Sequence, residues 1–349
     1  MPIFPERAQT HGMENLRFLE PADAEAFAHD GFFVRRLFEV EEAASMAAEF
    51  ETLTAGSPLS PNEAGNYYSV MDADQALSAA IQEWSAGKLS PAMDRVAVGW
   101  KPIRTGVLIK PAHGKETRFH LHQPITDHPF GLSVIGWCAL RDCDEHNGCL
   151  RVIPGSHLLF RHIGAGSAIY PENAEDQKLL IQRHAIPVPL KSGEAIFFHN
   201  GLLHGAHPNS TGQARPAIGI HFTTPDQNPA LYRPHGDGMA AFRLPDGNYT
   251  GLFGANRITE LDKADILRTF PAWNPRPNLA QVEALLQARG PRAREDYEPL
   301  DLVRHLATPT GPDATEDALR PLAFRRLVAK IPGARAVYRL VRSRPRISK

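Results

Sequence analysis

Two short segments carry histidines in a setting that could support metal chemistry. His122 closes Arg118-Phe119-His120-Leu121-His122-Gln123, at the expected mouth of a strand. His204 lies in Phe197-Phe198-His199-Asn200-Gly201-Leu202-Leu203-His204-Gly205, just past another. Two neutral imidazoles converging from separate strands onto one end of a sheet barrel are the start of a non-haem Fe(II) site. Such a site needs the pair plus a carboxylate on one face, with the opposite positions open for substrate and O₂. The chain has sixteen histidines, concentrated between His113 and His207. Most of them, His157 and His199 included, read as satisfied wall residues. The plain alternative for His122 and His204 is the same: two buried rings and no metal. Cys138, Cys143 and Cys149 have neither the even number of a disulfide framework nor CxxC spacing. Cys138 and Cys149 read as small apolar strand residues, and Cys143 as part of the turn between them.

Such rings would be held by short strands. From about residue 100, apolar runs such as Gly106-Val107-Leu108-Ile109, Leu132 to Leu140, Cys149 to Ile153, Ala195 to Phe198 and Ala217 to Phe222 alternate with Gly, Pro, Asn and Asp clusters. That texture predicts antiparallel sheets in a sandwich or barrel rather than βαβ units. Ahead of it, helical patterns run from Pro21 to His29, ending at Gly31, and from Val40 to Leu53, with Ala43, Met46, Ala47 and Phe50 on one face. After Pro225 the strand texture fades, and residues 226–277 read as a long excursion without assigned elements. Asn278 to Gly290 predicts a helix, with Asn278 and Gln281 as a capping box and Leu279, Val282 and Leu286 as its stripe. Neither GxGxxG nor a P-loop is present, and no internal repeat is visible.

Composition bounds the rest. The chain has 349 residues, 42% hydrophobic and 22% charged, which excludes wholesale disorder. No stretch approaches the length of apolar chain that spans a bilayer. Met1-Pro2-Ile3-Phe4-Pro5-Glu6-Arg7 has no basic segment leading into an apolar run, so a secretory signal is not expected and a cytoplasmic location is. The net charge of −1 hides an asymmetry: Ala318 to Lys349 holds ten Lys or Arg and no acid, leaving the remainder at −11. In that tail Phe324, Leu327, Val328 and Ile331 fall on one helical face. A basic amphipathic helix there could touch an anionic membrane, or could pack on the acidic body with its arginines solvated.

The ordered series of motifs resembles the phytanoyl-CoA hydroxylase (phytanoyl-CoA dioxygenase) family. The likeness runs from His122 through Trp137, Asp142 to Leu150, and Val152-Ile153-Pro154-Gly155-Ser156-His157. It continues through Gly193 to His199, His204-Gly205, Pro208-Asn209 and Arg215, with Asp30 to Val34 as an entry segment. The resemblance covers roughly residues 20–225. It implies a mainly β fold with flanking helices, whose core is a double-stranded β-helix (jelly-roll, cupin-like), here joined to a helical C-terminal extension. It divides the chain into an oxygenase domain over 1–225 with its core at about 100–225, a loop-rich and helical extension over 226–317, and the basic tail over 318–349. It further implies an Fe(II)- and 2-oxoglutarate-dependent dioxygenase that uses O₂ to hydroxylate a C–H bond of a small organic or lipid-like substrate. His122 and His204 match the family's histidine ligands, and Arg215 the arginine that clamps the distal carboxylate of 2-oxoglutarate. Trp137, Gln123 and Val107 fall where the family lines the cosubstrate pocket. Ala206 replaces a serine that can donate to the same carboxylate.

One departure bears on mechanism. The family pattern is His-x-Asp, and this chain reads His122-Gln123-Pro124. Four explanations are open: Asp127 swings in; His120, two residues before His122 and on the same strand face, completes a three-histidine site; the position is left to water or halide, as in chlorinating relatives; or iron binds too weakly for turnover, leaving a binding or regulatory module. Substrate selectivity is expected in loops at 57–100, 160–185 and 226–277. Nothing points to sequence-specific nucleic-acid reading, and oligomeric state is not legible.

Overall fold

The structure, a computed structural model, describes residues 16–62, 65–123, 125–159, 168–244, 265–271 and 276–288. Contacts divide the chain into Met1–Leu300 and Asp301–Lys349. The basic tail read from the sequence lies outside the described residues, as does Pro124.

The first elements follow their local chemistry. After β1 (Arg17–Phe18), α1 (Pro21–Asp30) starts with proline in its first turn and stops at Gly31, whose φ of 84° lets its N–H reach the Phe27 carbonyl. β2 (Phe32–Arg36) leads to α2 (Val40–Leu53), opened by a capping box between Glu39 and Glu42 and burying Ala43, Met46, Ala47 and Phe50. Both helices were legible from spacing. The segment 57–100, expected as a loop, is instead largely helical. β3 (Tyr67–Tyr68) precedes α3 (Gln75–Met93), which Asp74 caps by accepting from the Ala76 and Leu77 N–H groups. Its buried face mixes Leu77, Ile81 and Leu89 with Ser78 and Ser85, and it contains Pro91. Serines on the packed side blur the apolar period that marks an amphipathic helix. Ser85 Oγ is satisfied there by Thr105 Oγ1 at 2.8 Å. β4 (Ala97–Val98) then pairs with β1.

Among the described residues, eight consecutive strands build the barrel: β5 (Lys101–Lys110), β6 (Thr117–His120), β7 (Val134–Ala139), β8 (Leu150–Val152), β9 (Ile186–Val188), β10 (Glu194–His199), β11 (His204–Ala206) and β12 (Arg215–Thr223). They distribute into two antiparallel sheets, β2-β10-β7-β12-β5-β3 and β6-β11-β8-β9. This interleaving is a double-stranded β-helix, as the family resemblance implied. Side-chain alternation sorts the core. Ile135, Trp137, Ala139 and Ala217 pack between the sheets against Leu150, Val152 and Val188. Val134, Cys138, Ile218 and Ile220 face the other way, into the cluster that holds Phe27, Ala43 and Met93 of the helices. All three cysteines are buried and free.

The remaining expected loops also hold regular structure. Segment 160–185 contains α4 (Ala174–His184), capped by Asn173. In 226–277 a three-stranded sheet forms from β13 (Ala230–His235), β14 (Gly238–Arg243) and β15 (Ile266–Pro271). Pro234 and the glycines of its hairpin weaken the strand pattern there. The helix expected after Asn278 is α5 (Leu279–Ala288), with reciprocal Asn278 and Gln281 backbone caps at 2.9 and 3.0 Å.

One glycine ties the helical layer to the barrel. Gly193 has φ 84°, its carbonyl accepts from the Leu37 and Phe38 N–H groups, and a Cβ there would collide with the Phe38 carbonyl. Gly193→Ala is expected to destabilise the fold by roughly 2 to 4 kcal/mol, read as a lower urea midpoint with an unchanged slope.

Candidate active site

Three histidine rings meet at one end of the barrel. His204, in β11, stands in cross-strand register with His120, in β6. His122 follows two residues later on the same face, its backbone N–H held by the Asn200 carbonyl at 2.9 Å. One ligand-capable atom from each of His120, His122 and His204 lies within 4.8 Å of the others. His122 Nε2 and His204 Nε2 are 3.3 Å apart, with their rings near-parallel at 14°. Nitrogen ligands about 2.1 Å from a common metal at right angles would be about 3 Å apart, so the spacing suits two adjacent ligands. Nδ1 of His204 donates to the Leu202 carbonyl and Nδ1 of His120 to the Arg118 carbonyl, each at 2.8 Å. A carbonyl can only accept, so both rings carry the proton on Nδ1 and turn an Nε2 lone pair inward.

The electrostatics favour lone pairs over charge. Burial, then the nearby His120, pushes His204 down to about 3. His122 is held well below the ordinary histidine range by burial and by His204, His120, His221 and Arg104. His120 is lowered by burial. Neutral imidazole is the form that binds a divalent metal, so the donor set fits iron.

The same cavity, of about 330 Å³, reaches Arg215 at the start of β12. The guanidinium carbon sits 4.6 Å above the centroid of the Trp137 ring, and Nε and Nη1 are buried without hydrogen-bond partners. Among the described residues no Asp or Glu pairs with Arg215 or lines the cavity. A buried fork of donors with no anion is costly unless a ligand supplies one, and a carboxylate matches it. Beside it lies Lys110, register partner of Arg215. Lys110 is pushed down to about 8, first by burial and then by Arg215. Its Nζ donates to the Lys115 carbonyl at 2.6 Å and faces Thr117 Oγ1 at 3.3 Å.

Other expected site residues divide. Trp137, Gln123 and Ala206 line the cavity. Val107 borders it, yet its side chain packs with Phe50, Tyr67, Leu77 and Ile81 on the helix side of the sheet, and Leu108 takes the inward position beside Trp137's cluster. Asp127 does not join the histidines: its two carboxylate oxygens accept from the Asn228 backbone N–H and side-chain amide at 3.1 and 2.9 Å. His199 is a wall residue, accepting from the Gly201 N–H at 2.9 Å. Sequence reading missed Tyr68, Arg104, Lys110 and His221. For the last three a signal existed in the two-residue period that carries Arg215 to His221 and Arg104 to Lys110.

Because folding depresses these histidines, the unfolded chain binds more protons as pH falls below about 6.5. Their contribution to stability is therefore full above that value and lost on acidification towards the folded-state values. For His204 alone the loss at pH 5 is about 2 kcal/mol. Metal-free protein is expected to melt several degrees lower at pH 5 than at pH 7, and His204→Asn is expected to reduce that difference.

Comparison with known proteins places this geometry. The family model for phytanoyl-CoA dioxygenase (PhyH) matches residues 27–217. The mouse peroxisomal phytanoyl-CoA dioxygenase is 34% identical over 134 residues, covering 35% of this chain and 39% of that protein. Dioxygenase trt7 of Aspergillus terreus is 28% identical over 148 residues, 42% of this chain and 44% of that one. The chain thus aligns with about two fifths of the length of these relatives. A solved structure of the epimerase SnoN, in complex with Fe3+, alpha ketoglutarate and nogalamycin RO, aligns at 21% identity with a TM-score of 0.49, covering 73% of this chain and 97% of that one. That likeness is too loose to speak to chemistry. The match to the family model extends over more than half of the chain, and the chain belongs to the phytanoyl-CoA dioxygenase family.

Proposed function

We propose that the protein is an Fe(II)- and 2-oxoglutarate-dependent dioxygenase that hydroxylates a C–H bond of a small organic substrate. The observation that carries this reading is the placement, in one cavity, of three inward-facing imidazoles and a buried guanidinium that no Asp or Glu pairs among the described residues. Family membership supports it.

His122, His204 and His120 would hold the iron, with His120 in place of the carboxylate that the family pattern puts at position 124. Bound iron would supply the activation of O₂, coupled to decarboxylation of 2-oxoglutarate. The chain's own groups do the rest. The Nδ1–carbonyl bonds of His204 and His120 fix the two rings and keep their Nε2 lone pairs available. Arg215, braced on Trp137, takes the distal carboxylate of 2-oxoglutarate, with Lys110 adding positive charge beside it. Ile135, Phe198 and Trp137 make the walls apolar, which limits water around the reacting groups. A ligand set without a carboxylate leaves one less negative charge on the metal, so iron is held more weakly than in a His-x-Asp relative. Regular turnover by this set distinguishes an oxygenase from a barrel that only binds.

Calorimetric titration of anaerobic protein tests the ligand set. His120→Ala is expected to weaken Fe(II) binding at least tenfold, and Asp127→Asn to leave it within twofold; the reverse ranking would return Asp127 to the site. Arg215→Gln is expected to weaken 2-oxoglutarate binding at least 100-fold. The same variant should raise the melting temperature of ligand-free protein, because it removes a buried charge that has no acid partner among the described residues. Succinate formation from 2-oxoglutarate with Fe(II), ascorbate and O₂ tests turnover. Intact binding of both cofactors with no succinate, alone or with candidate substrates, would establish a binding module instead.

A further inference from the structure

The three histidines at the end of the barrel share one backing. His120 and His122 alternate with Phe119 and Leu121 along a single segment, and Leu203 directly precedes His204. In extended chain a ring and its neighbour point to opposite sides. Phe119, Leu121 and Leu203 all enter the same apolar cluster, together with Ile153 and Leu180. Val282 of α5 is buried in that cluster at 0% exposure, with Leu279, Leu285 and Leu286 packed beside it. α5 comes from the C-terminal extension, beyond the residues that the family model matches.

α5 is also tied to the histidine segment through α4. Leu121 and Ala168 exchange backbone hydrogen bonds at 2.8 and 3.1 Å, which joins the segment to the chain leading into α4. α4 packs on α5. Glu283 Oε1 accepts from Arg183 Nη1 at 2.9 Å and from His184 Nε2 at 3.1 Å, so an ionic contact reinforces the apolar one. Arg215, Trp137 and Lys110 have a different support. They stand on β12, β7 and β5 of the other sheet, where Cys138 and Ile218 face the cluster that holds Ala43 and Met46 of α2. The histidines and the guanidinium therefore line one cavity but rest on separate layers.

On the reading of His120, His122 and His204 as iron ligands given above, we infer that α5 is a positioning element of the metal site and that Val282 is its positioning residue. A close-packed interior passes displacement from one layer to the next, and a cavity opened in it is only partly refilled. Space at Val282 lets Phe119, Leu121 and Leu203 shift, and each carries a neighbouring imidazole with it. Neutral donors meeting at one point have no anionic attraction to compensate for lost geometry, so a slack cluster weakens the metal while the fold stands.

The test is calorimetric titration of the full chain with Fe(II) under anaerobic conditions. Val282→Ala is expected to weaken binding about tenfold, and Val282→Ile to keep it near the parent value. Glu283→Lys sets like charge against Arg183 without opening a cavity, and should weaken binding at least threefold. Met46→Ala opens a larger cavity behind the other sheet; it should lower the melting temperature yet leave Fe(II) affinity within twofold. A second readout is amide hydrogen exchange of metal-free protein. The Leu121 and His122 N–H groups, bonded to the Ala168 and Asn200 carbonyls, should exchange faster in Val282→Ala and Glu283→Lys but not in Met46→Ala. Lower melting with parental iron affinity in both α5 variants would overturn the inference and leave α5 a purely structural helix. Should Val282→Ala fail to fold, Glu283→Lys decides. Failure of the parent to bind Fe(II) would strike the oxygenase reading instead, and the exchange comparison would still show whether α5 braces the histidine segment.

Discussion

The site depends on strand register. His204 faces His120 across the β11–β6 pair, and the two-residue period carries His122 to the same side. A slip of one residue in the segment 117–122 would turn both of its rings to the opposite face. What prevents the slip is the packing of alternate residues: Phe119 and Leu121, on the other face of the same segment, are buried with Ile153 and Leu203. The hydrophobic core and the placement of these histidines are therefore specified by one alternation, read on its two sides.

The same constraint explains where charge can be tolerated. Arg215 and Lys110 are taken out of water at the ends of paired strands, where backbone hydrogen bonding fixes their Cα positions and leaves the side chains little room to escape. Trp137 offers Arg215 a ring face rather than a counter-ion, a partial compensation. With no acid lining the cavity among the described residues, such groups suit anionic ligands, much as the depressed histidines suit a cation.

Much of this was legible from residues alone. α2 announced itself by Ala43, Met46, Ala47 and Phe50, α5 by its Asn278–Gln281 cap, and the barrel by apolar runs punctuated with turn residues. His122, His204 and Arg215 stood out through their motifs. α3 did not, because Ser78 and Ser85 occupy its packed face and are satisfied there by Ser69 and Thr105, which lie outside the helix. The departure at Pro124 showed that a carboxylate was missing but not what replaces it. The proposal of His120 rather than Asp127 rests on a contact invisible in the sequence: Asn228, about a hundred residues away, binds both oxygens of Asp127. Arg104 and His221 were hidden for a related reason: each is unremarkable on its own strand, and only the pairing of β5 with β12 brings them together.

The central claim is that iron in this barrel is held by imidazole alone on the protein side. X-ray absorption of the anaerobic Fe(II) protein with 2-oxoglutarate reads this directly, since imidazole rings give a multiple-scattering signature that carboxylates lack. The account predicts a first shell fitted by three imidazoles and oxygen donors, falling to two imidazoles in His120→Ala. A parent spectrum fitted by two imidazoles, unchanged by that substitution, would contradict it.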